Sequence, residues 1–199
     1  MADSFPYREL YDRLRRAGYH EHEDKTSHLA PYVPWLKERL AYQSVLDIGC
    51  STGGSFPLIG LEGQEVWGVD VSTVAVERAR ALRRNVVQAS ATDLPFPDDR
   101  FDLVVSADVF EHLHEDDAAD AAREAIRVAR KYVFMKIASQ VDATEKWKAI
   151  AGHPLHLTTR PLAWWKQFFA GAGTFIRSEE HVFCLELYNQ PRQADDSVT

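Results

Sequence analysis

Cysteine is scarce in this chain of 199 residues, which contains two, Cys50 and Cys184. Two cysteines cannot build the disulfide framework of a small secreted domain, and their spacing does not match a zinc site. No apolar run reaches the length needed to span a membrane, and the N-terminal MADSFPYREL lacks the charged-then-apolar pattern of a secretory signal. These absences predict a cytoplasmic protein with no membrane partner.

Positive charge is also in short supply, because 23 Lys and Arg residues face 30 Asp and Glu residues, for a net charge of -7. Binding of long nucleic acid usually needs a basic face that displaces counterions from phosphates. The densest basic stretch, residues 78–84, alternates with apolar residues as a solvated helix face does. A long nucleic-acid partner is therefore not expected. A short RNA end stays open as a substrate, and the oligomeric state is left undetermined.

The apolar pattern predicts one α/β domain. Hydrophobic residues make up 45% of the chain, and strand-like runs alternate with helical patterns, as in a parallel sheet built from strand–helix units. Strands are predicted at residues 44–48, 65–69, 85–88, 101–107, 131–137, 174–178 and 182–187, the last two as an antiparallel pair. Helices are predicted at residues 7–17, 34–41, 73–84, 116–128 and 159–170. The predicted organisation is an N-terminal helical lid or extension at 1–43, a core domain at 44–189 and a flexible tail at 190–199.

The most informative motif is SVLDIGCSTGG at residues 44–54. Asp47 ends a hydrophobic strand, and Gly49 and Gly53 permit tight turns close to a ligand. A dinucleotide site would need glycine where Ser51 stands. The carboxylate of Asp47 would also repel a pyrophosphate, whereas it suits an ammonium or sulfonium group. The turn therefore favours a cationic ligand over a dinucleotide.

Three further signals follow in order along the chain. Asp70 ends the second strand, where a carboxylate can accept hydrogen bonds from both hydroxyls of a ribose. Asp93 follows the third strand and could accept from an adenine amino group, with Leu94 against the ring. The fourth signal is FDLVVSADVFEHL at residues 101–113.

Together the four signals resemble the class I S-adenosylmethionine (SAM)-dependent methyltransferases, closely over residues 44–113 and more loosely to residue 187. The resemblance implies an α/β fold with a seven-stranded, mostly parallel sheet, one antiparallel strand and helices on both faces. It implies SAM as cofactor, with its methionine part near Asp47, Gly49 and Gly53, its ribose at Asp70 and its adenine at Asp93. Many members of the family have glycine at the position of Ser51. The expected cofactor-binding residues are Asp47, Gly49, Cys50, Ser51, Gly53, Asp70, Val71, Thr92, Asp93, Leu94 and Ser106.

Histidines are the candidates for acceptor chemistry, because a hydroxyl acceptor benefits from a general base that works near neutral pH. His112 follows the fourth strand at the edge where ligands bind, and His153 and His156 lie in a segment that could fold over an acceptor. These three are the predicted catalytic residues; the alternative is that they cap helices or bond loop carbonyls. The acceptor mouth is expected to include Tyr19, His20, His22 and His28. Trp164 and Trp165 are expected to pack the last helix onto the sheet, with at most one of them facing the pocket.

A divalent metal is a secondary hypothesis. Asp108, Glu111 and His112 would share one face of a helical turn, and with His156 they would form an oxygen and nitrogen ligand set. Similar acid-x-x-Glu-His patterns occur in metal-dependent quinone and small-RNA methyltransferases. Glu-His-Leu after the fourth strand is also widespread in relatives without metal, so no metal ligand is assigned.

The sequence thus predicts an enzyme that transfers a methyl group from SAM to a small-molecule acceptor, favouring the hydroxyl of a sugar, glycan precursor or specialised metabolite. Two alternatives stay open. One is a methyltransferase-like partner subunit without activity of its own. The other is a methyltransferase that acts on a short RNA end or a quinone with the help of a divalent metal.

Overall fold

The computed structural model describes residues 5–21, 27–60, 63–142 and 144–188. Within them, seven strands form one sheet in the order β3-β2-β1-β4-β5-β7-β6, in which β7 alone runs opposite to the other six strands. This confirms the predicted fold class. The tail at 190–199 and His22 lie outside the described residues. The strands are β1 (Ser44–Ile48), β2 (Glu65–Asp70), β3 (Val86–Gln88), β4 (Phe101–Ala107), β5 (Ala129–Lys136), β6 (Gly173–Glu179) and β7 (Val182–Leu187).

The two central strands, β1 and β4, explain why the sheet is covered on both faces. Every residue of β1 is buried, as in parallel strands sandwiched between helix layers. Leu46 and Val104 point into one core layer, whereas Val45, Leu103 and Val105 point into the other. The helices that cover the sheet are α1 (Tyr7–Arg16), α2 (Val33–Arg39), α3 (Phe56–Ile59), α4 (Thr73–Ala81), α5 (Glu115–Val128), α6 (Glu145–Ala151) and α7 (Leu162–Lys166).

Element ends differ from the predictions where the backbone turns early. Helix α4 stops at Ala81 rather than residue 84, because Arg83 has a left-handed backbone with φ 59°. Helix α7 covers Leu162–Lys166 only, and turns occupy the rest of the predicted span to residue 170. Strand β5 begins at Ala129, directly after α5 ends at Val128. The helix and strand propensities of the residues do not locate the ends of these elements, since the ends depend on how the chain packs.

The N-terminal segment lies across the carboxyl edge of the sheet. Asp12 in α1 accepts hydrogen bonds from Ser72 Oγ at 2.7 Å and Val74 N at 3.1 Å, at the start of α4. On the other side, Tyr7 Oη donates to Asp117 Oδ2 in α5 at 2.6 Å. Helix α1 therefore bridges the helices that flank this edge, as a lid would. The domain boundary at residue 43 stays a prediction.

Ser72 offers a test of this bridge. Its hydroxyl caps α4 by accepting from Ala75 N at 3.2 Å and also donates to Asp12. We expect Ser72→Ala to lower the free energy of unfolding by about 1 kcal/mol, because the helix loses its cap. Chemical denaturation measures the change. An Asp12→Ala, Ser72→Ala double-mutant cycle with no coupling energy would contradict the bridge.

None of the helices in the described part of the chain combines the length and apolar composition that crossing a membrane requires.

Candidate functional site

A cavity opens at the carboxyl edge of the sheet. The tips of β1, β2 and β4 form its floor. The N-terminal segment forms the opposite wall, through residues that include Tyr11, Arg15 and His28. Ligands of open α/β sheets bind in this position, outside the carboxyl ends of the strands.

Asp47 lies at the tip of β1, lines the cavity and is buried. Burial raises its pKa to about 7; the hydrogen bond from Ser55 Oγ lowers the pKa, and the nearby carboxylate of Asp70 raises it. Near neutral pH both the protonated and the ionised form of this carboxyl group are therefore populated. A bound cation would stabilise the charged form, which makes Asp47 a receptive partner for an ammonium or sulfonium group.

Asp70 at the tip of β2 ties two loops to the cavity floor. Its Oδ2 accepts from Ser51 N at 2.8 Å, and its Oδ1 accepts from Ser72 N at 2.9 Å. A carboxylate oxygen has more than one lone pair, so both oxygens can still accept from ligand hydroxyls. Asp70 also lines the cavity, as the predicted ribose-binding role requires.

The turn after β1 has a backbone that only small residues accommodate. Gly49 has φ 73°, and a Cβ there would lie 2.2 Å from Val109 Cγ2. Ser51 adopts φ 55°, a left-handed conformation that costs energy for a residue other than glycine and is common at functional sites. Its N–H group donates to Asp70 Oδ2, which helps to hold the serine in this conformation.

Two hydroxyls of this turn have no hydrogen-bond partner among the described residues. They are Ser51 Oγ and Thr52 Oγ1, and both are buried. Burying a polar group without a partner costs free energy. Ser51 also lines the cavity, so its hydroxyl is placed to be satisfied by a polar ligand.

Arg15 is a cavity residue that the sequence reasoning missed. It belongs to α1 and is only 6% exposed, and its Nη1 lies 3.4 Å from the carbonyl oxygens of Tyr19 and His20. The available signal was its position four residues after Tyr11, next to the buried Leu14. The cavity therefore carries acidic groups on its sheet side and a guanidinium on its lid side.

The other predicted cofactor residues divide into two groups. Cys50 and Val71 line the cavity, and burial raises the pKa of the Cys50 thiol well above its usual value. The cavity wall does not include Gly53, Thr92, Asp93, Leu94 or Ser106.

Three of the residues outside the wall have a structural role or position of their own. Leu94 is buried in the main core, and Ser106 donates its hydroxyl to Ile48 O at 3.1 Å. Asp93 forms an isolated bridge with Ser90, and Ser90 itself lines the cavity. Adenine contacts by Asp93 and Leu94 stay predictions.

Of the three predicted catalytic histidines, His112 alone lines the cavity. Its Nδ1 bonds Leu155 O at 3.0 Å, and burial lowers its pKa to about 4, which makes it a weak proton acceptor at neutral pH. The His156 ring packs edge-on against that of His112 at 4.9 Å between centroids. His153 packs against Phe5.

The predicted common face of Asp108, Glu111 and His112 is wrong. Asp108 has φ 54°, so its side chain leaves the 3-10 turn Phe110–His112 and contacts Lys136 and His28 instead. The prediction assumed a continuous helical turn through Asp108, and the left-handed backbone interrupts it.

Glu111 instead clusters with two histidines. One ligand-type atom each of Glu111, His112 and His156 lies within 4.8 Å of the others. Glu111 Oε1 accepts from Ala138 N at 3.0 Å, whereas its buried Oε2 has no partner among the described residues. Burial, reinforced by the charge of Asp108, raises the Glu111 pKa to about 8.

The predicted acceptor mouth is partly assembled. Tyr19, His20 and His28 line the cavity. Trp165 is buried in the main core, and Trp164 packs against it from the rim of that core. Neither tryptophan lines the cavity, because both pack α7 onto the sheet.

Comparison with known proteins places the site in a family context. Residues 46–135 match the family described as "Methyltransferase domain". A protein of Mycobacterium tuberculosis, named as a probable S-adenosylmethionine-dependent methyltransferase, is 39% identical over 97 residues, which cover 48% of this chain and 35% of that protein. The tocopherol O-methyltransferase of Arabidopsis thaliana is 34% identical over 102 residues, covering 47% of this chain and 29% of that protein. The chain thus matches about a third of the length of these relatives.

The likeness in fold extends further than the likeness in sequence. A solved structure from Pyrococcus horikoshii OT3 superposes with a TM-score of 0.65 at 18% identity, covering 92% of this chain and 96% of that one. The family match contains the strand tips that carry Asp47 and Asp70, whereas α1 and the segment that carries His28 lie outside it.

Proposed function

We propose that this chain, whose residues 46–135 match a methyltransferase domain, is a class I SAM-dependent methyltransferase that transfers a methyl group from SAM to the hydroxyl of a small organic acceptor. The observation that carries this proposal is the arrangement of Asp47 and Asp70 on the cavity floor with Arg15 facing the same cavity. One ligand that carries cations, a carboxylate and ribose hydroxyls would satisfy all three residues.

The chemistry of the residues at this site fits SAM. Asp47 would hold the ammonium group, Asp70 the ribose hydroxyls and Arg15 the carboxylate. The unpartnered hydroxyl of Ser51 supports the same placement, since it faces a cavity in which a polar ligand would complete its hydrogen bonding. When bound, SAM supplies an activated methyl group on a sulfonium centre.

The chain itself would contribute alignment and exclusion of water. Methyl transfer to oxygen requires the acceptor, the methyl carbon and the leaving sulfur in one line, and holding that geometry is a large part of the catalytic effect. Apolar side chains of the same cavity, Leu29, Val109 and Leu113, would keep the reacting atoms away from solvent. The name of the Arabidopsis relative supports an oxygen acceptor, and a phenol or hydroquinone is the acceptor class to test first.

The experiment has two stages. Calorimetry with SAM, S-adenosylhomocysteine (SAH) and NAD tests the cofactor, and we expect the first two to bind and NAD to give no heat. Transfer of tritium from methyl-labelled SAM is then measured against phenols, hydroquinones, sugars and amines. Absence of SAM binding would overturn the proposal. Binding without transfer to any acceptor would favour the alternative of a non-catalytic partner subunit.

A second candidate is the metal-dependent form of the same reaction, and the cluster of Glu111, His112 and His156 favours it. Two imidazoles and a carboxylate form a common ligand set for divalent transition metals. The Nδ1 atoms of His112 and His156 lie against the carbonyl oxygens of Leu155 and Gln140, which leaves each Nε2 as the potential ligand. Glu111 Oε2 completes the set as a buried oxygen without a partner among the described residues.

Cobalt binding tests this candidate independently of turnover. We expect the full chain to bind Co²⁺ with a visible absorption band, and Glu111→Gln to weaken that binding at least tenfold, because a neutral amide is a poor ligand for a hard cation. Glu115→Gln, on the exposed start of α5, is the matched control. A wild-type chain without the band, or one with full turnover in excess chelator, would eliminate the metal.

A further inference from the structure

His28 and Asp108 form a pair in the cavity wall that the proposed cofactor site does not use. The Nδ1 atom of His28 contacts Asp108 Oδ2, and both residues line the cavity. Asp108 stands just beyond the end of β4, whereas His28 comes from the N-terminal segment 80 residues earlier in the chain. The contact thus joins the lid side of the cavity to the sheet.

The carboxylate of Asp108 is fixed from the opposite side. Lys136 Nζ, at the end of β5, contacts both oxygens of Asp108, and the Asp108 N–H donates to Lys136 O at 3.0 Å. Although burial acts to raise its pKa, the contacts with His28 and Lys136 hold the pKa of Asp108 below its usual value. Asp108 therefore remains an ionised acceptor with a fixed orientation. Its left-handed backbone, φ 54°, is the kind of strained conformation found at functional sites.

An ionised carboxylate at Nδ1 selects the histidine tautomer. The Nδ1–H group donates to Asp108, so the lone pair of the ring is carried by Nε2. The His28 side chain is 49% exposed, which keeps it in reach of both an acceptor in the cavity and the solvent. His112, which also lines the cavity, is by contrast buried and has its Nδ1 against the carbonyl oxygen of Leu155.

We propose that His28 is the general base of the methyl transfer and that Asp108 positions it, with Lys136 as the anchor of Asp108. This inference rests on the proposed function. The acceptor oxygen forms its new bond to the methyl carbon as the carbon–sulfur bond breaks, and the pair of electrons from that bond goes to sulfur. The hydroxyl proton passes to His28 Nε2 and from there to solvent. Asp108 keeps its charge throughout and stabilises the imidazolium that forms.

Kinetics with the best phenolic or hydroquinone acceptor test the base. We expect His28→Gln to lower kcat at least 20-fold while the Kd for SAM stays within threefold of wild type, because the glutamine side chain cannot take the proton. Asp108→Asn should lower kcat by a similar factor, and added imidazole should restore part of the turnover of His28→Ala. His181→Gln, which changes a histidine in the turn between β6 and β7, is the control with unchanged turnover.

A tautomer measurement keeps the inference testable without any acceptor. Nitrogen-correlated NMR of the SAH-bound chain should show His28 with its proton on Nδ1, and Asp108→Asn should change that assignment. A proton on Nε2 overturns the inference, as does His28→Gln with wild-type kcat or with lost SAM binding. A wild-type chain that binds no SAM would contradict the proposed function instead. The tautomer of His28 would then still show whether Asp108 holds the ring proton on Nδ1.

Discussion

Replacement of Asp70 by alanine should weaken SAM binding more than 100-fold, the largest loss we expect from any single change in the cavity. The substitution removes a charged acceptor from the ribose hydroxyls and also frees Ser51 N and Ser72 N, which Asp70 holds at 2.8 and 2.9 Å. Charge-assisted hydrogen bonds and the penalty for leaving buried donors unpaired together amount to about 3 kcal/mol. Calorimetric titration with SAM and with SAH measures the loss.

Two companion variants make this result specific. Asp120→Ala removes an exposed carboxylate of α5 that pairs with Arg123, and its affinity for SAM should equal that of wild type. Asp93→Ala should weaken binding less than fivefold, because Asp93 does not belong to the cavity wall. If Asp93→Ala instead weakened SAM binding as much as Asp70→Ala does, the adenine role expected from the sequence would be correct. The cavity wall described above would then lack a residue that contacts the cofactor. An Asp70→Ala variant with wild-type affinity would remove the ribose assignment.

The sheet and its cofactor edge were predictable because their determinants are local. Strands β1, β4 and β7 have the predicted bounds, since each is a short apolar run between polar or small residues. Asp47 and Asp70 could be placed at one edge because parallel strands bring their carboxyl ends together. The resemblance to the methyltransferases supplied the single seven-stranded, mostly parallel sheet, whereas the order of its strands was not predicted.

The acceptor side was not predictable, because it depends on contacts between distant segments. The pairing of His28 with Asp108 spans 80 residues and requires the left-handed backbone of Asp108. Arg15 belongs to the predicted helix 7–17, and only the packing of α1 over the sheet edge buries it. For the same reason the helical-spacing argument placed Asp108 with Glu111 wrongly, since one residue with positive φ cancels the geometry that the spacing assumes.

Asp47 allows a test in which affinity and stability should change in opposite directions. In the folded chain without ligand, burial raises the Asp47 pKa from 3.8 to about 7. Folding therefore favours the protonated form, and the stabilising contribution that is complete below pH 4 is lost as the pH rises through 7. At pH 8 the buried carboxylate costs up to about 4 kcal/mol, from roughly three pKa units at 1.36 kcal/mol each.

We expect Asp47→Asn to raise the free energy of unfolding at pH 8 by about 2–4 kcal/mol and to leave it nearly unchanged at pH 4, because the amide does not ionise. The same variant should bind SAM at least tenfold more weakly at pH 8, since the ammonium loses its charged partner. Denaturation at the two pH values and calorimetry at pH 8 measure both quantities. A variant that is less stable than wild type at pH 8 would mean that the carboxylate of Asp47 already has a cationic partner in the free protein. The site would then have no need of a cationic ligand, and the physical basis for placing SAM against Asp47 would be lost.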